Sequence, residues 1–149
     1  MSESVSPPPP VPQPDALSQP FWDACREGRL EVSACGACDQ LFLPPGPCCP
    51  NCWSTELSSR EVSGRGRVYS FVVYRRTYHE GMPAPYVVAL IDLDEGPRMI
   101  SNVVGCAPEE VEIDMPVRLR FETAGDFRLP RFEPCDDPRP EKQDGGEKL

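Results

Sequence analysis

Cys35-Gly36-Ala37-Cys38 and Cys49-Pro50-Asn51-Cys52, separated by ten residues, constrain this chain more than any other feature in it. In each pair two residues divide the thiols, a spacing at which one tight turn aims both sulfurs at a single ion. Two such turns supply four sulfurs, the number a tetrahedral zinc site requires. Between them, Leu41-Phe42-Leu43 runs into Pro44, Pro45, Gly46 and Pro47. That reads as a strand entering a turn, so the pairs face each other across a small hairpin. The pattern predicts a zinc ribbon.

Four cysteinates closed around zinc leave no position for water or substrate, so the metal is expected to fold a loop and to catalyse nothing. Iron is the rival metal, because a four-thiolate shell also describes rubredoxin-like electron-transfer sites. Cys48 is an alternative ligand to its neighbour Cys49. Cys49 is favoured because it restores the two-residue gap to Cys52, which leaves Cys48 as a spare thiol.

At 149 residues the chain has room for one ordinary domain and an appendage. Its 20 prolines are unevenly spread, with Pro7 to Pro10 in one run and Pro12 and Pro14 close behind. Residues 134–149 mix Pro, Asp, Glu, Lys and Gly without an apolar pattern. Both ends are expected to be disordered, which leaves about 16–133 as the folded part. The amino terminus shows no basic region, apolar stretch or cleavage-type signal. The longest apolar runs, such as Val87 to Ile91, are too short to span a bilayer. Eight cysteines without a secretory signal point to metal binding in a reducing cytoplasm rather than to disulfides.

The net charge of −9 disfavours a protein whose main task is gripping a phosphate backbone. Arginine supplies nearly all the positive charge, and Arg60, Arg65, Arg67, Arg75 and Arg76 fall in one stretch. Such a cluster suits the phosphates of a small ligand; its plainer reading is solvated strand faces.

Residues 19–28 read as a short helix with Ser18 as N-cap, Pro20 in the first turn and Gly28 as the stop. Phe21, Trp22 and Cys25 give it an apolar face. That face either packs on the chain's own domain or forms an aromatic arm that docks on a partner. Beyond the ribbon the pattern turns to strands: 68–74, 86–93, 99–104, 117–122 and, more weakly, 127–132. Val117, Leu119 and Phe121 alternate with Arg118, Arg120 and Glu122. Turns are expected at Asp94-Glu95-Gly96 and Ala124-Gly125-Asp126, and a short helical connection over 108–111. The expected architecture is mainly β: a Pro-rich leader (1–15), an N-terminal helix (16–30), a zinc ribbon (31–56), a five-stranded OB-type barrel (57–133) and an acidic tail (134–149).

The order is specific. A helix Phe21-Trp22-Asp23-Ala24-Cys25-Arg26-Glu27-Gly28-Arg29-Leu30 precedes Cys-x-x-Cys, a Pro-rich knuckle and a second Cys-x-x-Cys. Gly66-Arg67-Val68-Tyr69-Ser70, Pro85-Tyr86-Val87-Val88-Ala89-Leu90 and Asp114-Met115-Pro116-Val117 follow. Over residues 20–123 this resembles the acyl-CoA-associated OB-fold proteins with a rubredoxin-like zinc ribbon, catalogued as domain of unknown function thirty-five. The resemblance implies assembly with thiolase-fold enzymes, including lipid-transfer-type thiolases, or with MaoC-type hydratases. It implies aldolase action on an acyl-CoA in steroid side-chain breakdown. In archaeal isoprenoid synthesis it implies a bridge between thiolase and synthase, with contact to the shared coenzyme A.

Catalytic equipment is sparse. His79 is the single histidine and lies in the loop 77–85. Its expected role is surface rather than base. With Tyr74, Arg75, Arg76 and Tyr78 it forms the best candidate surface for a partner or acyl-CoA, alongside Phe21 and Trp22. Gly64-x-Gly66 enters a strand, so it reads as a turn or bulge and not as a phosphate loop. Asp92, Asp94 and Glu95 read as solvated turn carboxylates, and Cys106 as a small apolar filler.

The reading that results is a non-catalytic accessory subunit of a thiolase-fold or hydratase enzyme in lipid or steroid side-chain metabolism. Its cofactors are structural zinc and a coenzyme A thioester shared with the partner. The alternative is a nucleic-acid-binding module, since OB barrels and zinc ribbons both serve that role.

Overall fold

The computed structural model describes residues 9–136. The leader 1–15 and tail 134–149, expected without fixed structure, lie largely outside that range.

The chain opens with helix α1 (Gln19–Arg26). Its start differs from the expectation: Ser18 makes no capping bond to the helix. Asp15 takes that place one turn earlier. Its carboxylate accepts from the Ser18 N–H at 2.8 Å, and the Ser18 hydroxyl accepts from the Asp15 N–H at 3.0 Å. Such a reciprocal pair satisfies two orphan donors at once, which a serine alone would not do. The end is as expected. Gly28, at φ 84, turns the chain left-handed, and the N–H groups of Gly28 and Arg29 donate to Cys25 and Ala24 carbonyls at 2.9 Å each.

Strands β1 (Glu31–Cys35), β2 (Leu41–Phe42) and β3 (Leu57–Glu61) form a small antiparallel sheet in the order β2-β1-β3. Strands β4 (Arg65–Tyr74), β5 (Tyr86–Leu93), β6 (Arg98–Val103), β7 (Pro116–Ala124) and β8 (Phe127–Pro134) close into a barrel in the order β4-β5-β6-β8-β7. This is the OB-type architecture: mainly β, with a 3₁₀ turn at Pro108–Glu110 in the connection between β6 and β7.

Alternation explains the strands. Along β5 every second residue, Val87, Ala89, Ile91 and Leu93, is buried. Strand β4 needs a correction of phase, because Gly66 and Val68 point inward but then Phe71 and Val73 do. The register with β5 shifts between Val68 and Ser70, so Tyr69 is the extra residue of a bulge that bends the strand. One strand thus serves two neighbours: Arg65–Arg67 pair with β7, while Gly66 to Tyr74 pair with β5 on the other side, Gly66 and Arg67 bridging both. The closure is completed by a parallel contact of Val103 with Phe132.

Gly66 sits where β4 crosses closest to β5; a Cβ there would lie 2.4 Å from the Asp92 carbonyl oxygen. The core gathers Ile91, Val117 and Phe132 from the barrel with Leu30, Val32 and Val62 from the ribbon side. Ribbon and barrel therefore share one apolar interior. Its buried polar groups are satisfied: Ser101 Oγ donates to the Pro130 carbonyl at 2.6 Å, and Asn102 Nδ2 to that of Val87 at 2.8 Å.

Candidate metal centre and loop surface

The four sulfurs of Cys35, Cys38, Cys49 and Cys52 all lie within 4.8 Å of one another, with Cys48 outside the group. Cys35 and Cys52 are 3.5 Å apart, and Cys38 and Cys49 3.6 Å. Sulfurs about 2.3 Å from a tetrahedral zinc would be separated by about 3.8 Å, so the arrangement fits the ion. Bound there, zinc supplies cross-linking and no open coordination position.

The two turns repeat each other. In the first, the Ala37 N–H donates to Cys35 Sγ at 3.4 Å and the Asp39 N–H to the Cys35 carbonyl at 3.0 Å. In the second, Asn51 donates to Cys49 Sγ at 3.3 Å and Trp53 to the Cys49 carbonyl at 2.9 Å. Asp39 and Trp53, each directly after the second thiol, are both left-handed, at φ 63 and φ 69. Besides the sulfur contacts, a side-chain amide links the turns: Asn51 Nδ2 donates to Cys38 Sγ at 3.5 Å. That donation, with a backbone bond at Gln40, lowers the Cys38 thiol, favouring the thiolate at this one of the four sulfurs. Sequence reasoning missed this role for Asn51, although its place inside the second Cys-x-x-Cys was the available signal.

The remaining thiols take no part. Cys25 is buried and its pKa is pushed up to about 12 by desolvation and then by Glu31. Cys106 packs half-buried against the core, its thiol raised by burial.

Phe21 and Trp22 are packed on the chain's own barrel. Phe21 lies against the core, Trp22 meets it edge-on at 5.0 Å, and Trp22 meets Phe127 of β8 in the same manner at 6.0 Å. Arg26 adds its guanidinium over Phe127 and donates to the Asp126 carbonyl at 3.1 Å. The helix therefore packs on its own domain, with both rings only half-buried.

The loop after β4 does gather the other candidates. Tyr74 contacts Tyr78 at 5.9 Å and Tyr86 at 5.1 Å, and Arg76 lies over the Tyr78 ring at 5.5 Å. Burial and the two neighbouring phenols raise the Tyr86 pKa. Thr77 Oγ1 accepts from the Ala84 N–H at 2.9 Å, pinning the loop across its base. His79 Nδ1 accepts from the Gly81 N–H at 2.9 Å, so this nitrogen shapes the loop. Arg75, Arg76 and Tyr78 are exposed, Tyr78 by 69%.

The arginines expected as one cluster are not one. Arg65 opens β4 and Arg75 follows its last residue, Tyr74, which lies about 30 Å along the strand at about 3.3 Å per residue, and Arg60 belongs to β3. Arg67 donates to the Asp114 carbonyl at 2.8 Å. The turn carboxylates are also more engaged than expected. Asp92 pairs with Arg98 at 2.6 Å, and Glu95 accepts from the Ser63 N–H at 2.9 Å.

A four-thiolate ribbon sharing its core with an OB barrel defines a small metal-stapled domain whose adaptable surface lies in its loops. Two family models match in tandem: "ChsH2, rubredoxin-like zinc ribbon domain" over residues 22–58 and "ChsH2, C-terminal OB-fold domain" over 59–122. The chain belongs to this ChsH2-type DUF35 family.

Among curated relatives, it is 44% identical over 117 residues to a probable enoyl-CoA hydratase alpha subunit of Thermomonospora curvata, covering 77% of this chain and 37% of the relative. The first curated relatives are thus much longer; the chain spans 37% and 41% of two of them. It is 35% identical to the benzoylsuccinyl-CoA thiolase subunit BbsA of Thauera aromatica, over 77% of each chain. A solved structure, the Ltp2-ChsH2(DUF35) aldolase, superimposes with a TM-score of 0.78 at 41% identity, covering 83% of this chain and 98% of that one. Among the described residues, no helix is long and apolar enough to cross a membrane.

Proposed function

We propose that this chain is a non-catalytic accessory subunit that binds a thiolase-fold or MaoC-type enzyme and helps it hold an acyl-CoA thioester. The observation that carries the reading is the match to the ChsH2 chain of a two-protein aldolase over 98% of that chain. The site chemistry agrees with it. Four thiolates close the metal shell, and the lone histidine accepts a backbone N–H within its own loop.

In this reading Tyr74, Tyr78 and Arg76, joined by ring and cation–π contacts, offer a platform for a nucleotide base. Arg75 and Arg76 offer forked donors to phosphates, and His79 borders the same surface. Phe21 and Trp22 contribute by holding α1 on β8. The partner supplies the nucleophile or acid and base, and the zinc is structural. The setting is the reducing cytoplasm, and the pathway one that shortens lipid or steroid side chains.

The test is affinity capture of the tagged chain from its native cytoplasm, with mass spectrometry of what is retained. An equimolar thiolase-fold or MaoC-like protein is the expected result. Nucleic acid with its processing machinery overturns the proposal, as does acyl-CoA turnover by the chain alone at the rate of the complex.

A further inference from the structure

Trp53 is 79% exposed, whereas tryptophan is on average largely covered in folded proteins. Among the described residues its indole makes no ring contact and no hydrogen bond. Its backbone is nevertheless left-handed at φ 69, a conformation that is costly for a bulky residue. The turn holds it there: the Trp53 N–H donates to the Cys49 carbonyl, and the Cys49 N–H to the Ser54 carbonyl, both at 2.9 Å. The matching position of the first turn carries Asp39, a short polar residue that adopts this conformation more easily. Glycine would satisfy the geometry best. The turn therefore fixes the backbone from which a large, exposed aromatic ring projects, against local preference and with little benefit to the chain's own packing.

The same metal-bearing end carries two exposed carboxylates. Asp39 is exposed on the first turn. Glu56 is exposed beside Gly36, whose N–H donates to the Glu56 carbonyl at 2.7 Å. Neither carboxylate forms an ion pair among the described residues.

We propose that Trp53 is the anchor by which the metal-bearing end of the ribbon docks on the enzyme subunit, entering an apolar slot rimmed by arginine or lysine. The proposal rests on the accessory-subunit reading above. A fixed backbone adds no loop-ordering cost on binding, tryptophan has only two side-chain torsions to fix, and it is enriched among the residues that dominate interfaces. The acidic rim calls for a basic counterpart. It argues against a second copy of this chain, which would bring carboxylate against carboxylate, and against a nucleic acid.

The experiment uses the full zinc-loaded chain and the thiolase-fold or hydratase subunit recovered with it. Trp53→Gly relieves the left-handed strain and removes no packing, so its urea midpoint is expected at or above that of wild type. Its affinity for the enzyme subunit is expected to fall about 30-fold or more, the range of an interface hot spot. A drop in stability would instead mark Trp53 as structural and overturn the proposal. In Trp22→Phe, Trp53 is the remaining tryptophan, and its fluorescence is expected to shift to the blue on complex formation; an unmoved spectrum overturns the anchor. Equal binding by wild type and Trp53→Gly overturns the anchor and leaves the accessory role standing. Failure of wild type to bind any such subunit overturns both. A concentration-dependent dimer of wild type that Trp53→Gly abolishes assigns the surface to a second copy, against the proposal.

Discussion

Asn51 reaches out of the second cysteine turn and gives its amide to Cys38 of the first at 3.5 Å. The two turns are thus joined by a side chain, as they would also be by an ion held among the four sulfurs. Groups that orient metal ligands typically contribute about 10–100-fold to metal affinity. Asn51→Ala is therefore expected to weaken zinc binding by about that factor, measured by competition against a chromophoric chelator. An unchanged affinity would show that the bond is incidental.

The cluster geometry also fixes what the metal analysis should return. The purified chain is expected to be colourless with one zinc per molecule. A red protein with iron would reassign the site. Cys48→Ala is expected to keep the full metal content, while Cys49→Ala loses it, because only Cys49 stands within the four-sulfur group. Chelation is expected to unfold the ribbon, seen as loss of hydrogen-exchange protection across β1 and β3.

Gly66→Ala tests the crossing of β4 over β5. The new methyl would need space now filled by the Asp92 carbonyl, 2.4 Å away. Overpacking of this kind costs about 1–3 kcal/mol, to be read from the urea midpoint at unchanged slope.

Leu30→Ala probes the seam between ribbon and barrel. Leu30 is fully buried in the cluster that holds Ile91 and Phe132. Its truncation is expected to cost about 2–5 kcal/mol, lowering barrel and ribbon protection together. Loss confined to the ribbon would show two independent folding units.

Replacing Arg75 and Arg76 together by Gln is expected to leave stability within about 0.5 kcal/mol, since both are exposed. Acyl-CoA retention by the assembled complex is expected to fall about tenfold, in line with loss of one or two charge-assisted bonds. Retention equal to wild type would remove these arginines from the ligand surface.

The legible features were those written locally. Four thiols at fixed spacing announce their own geometry, and Val117 and Leu119 alternate with exposed arginines because they face the core. What escaped was decided by distant partners. Strand β3 reads Leu-Ser-Ser-Arg-Glu, with no apolar alternation, and is a strand because β1 lies beside it. The arginines from Arg60 to Arg76 are close in sequence, yet an extended strand carries them apart. Trp22 fitted two roles, and the partner it packs on, Phe127, lies far along the chain. The bulge at Tyr69 left a trace, the change of phase between Val68 and Phe71, in a strand that touches both β5 and β7.

Leu30, Val32 and Val62 lie on the ribbon side of the molecule and yet complete the interior of the barrel. No clean seam exists at which one half could be exchanged for an unrelated module. Recombination can attach this unit to larger enzymes at its margins, but a splice through the middle leaves two raw apolar faces.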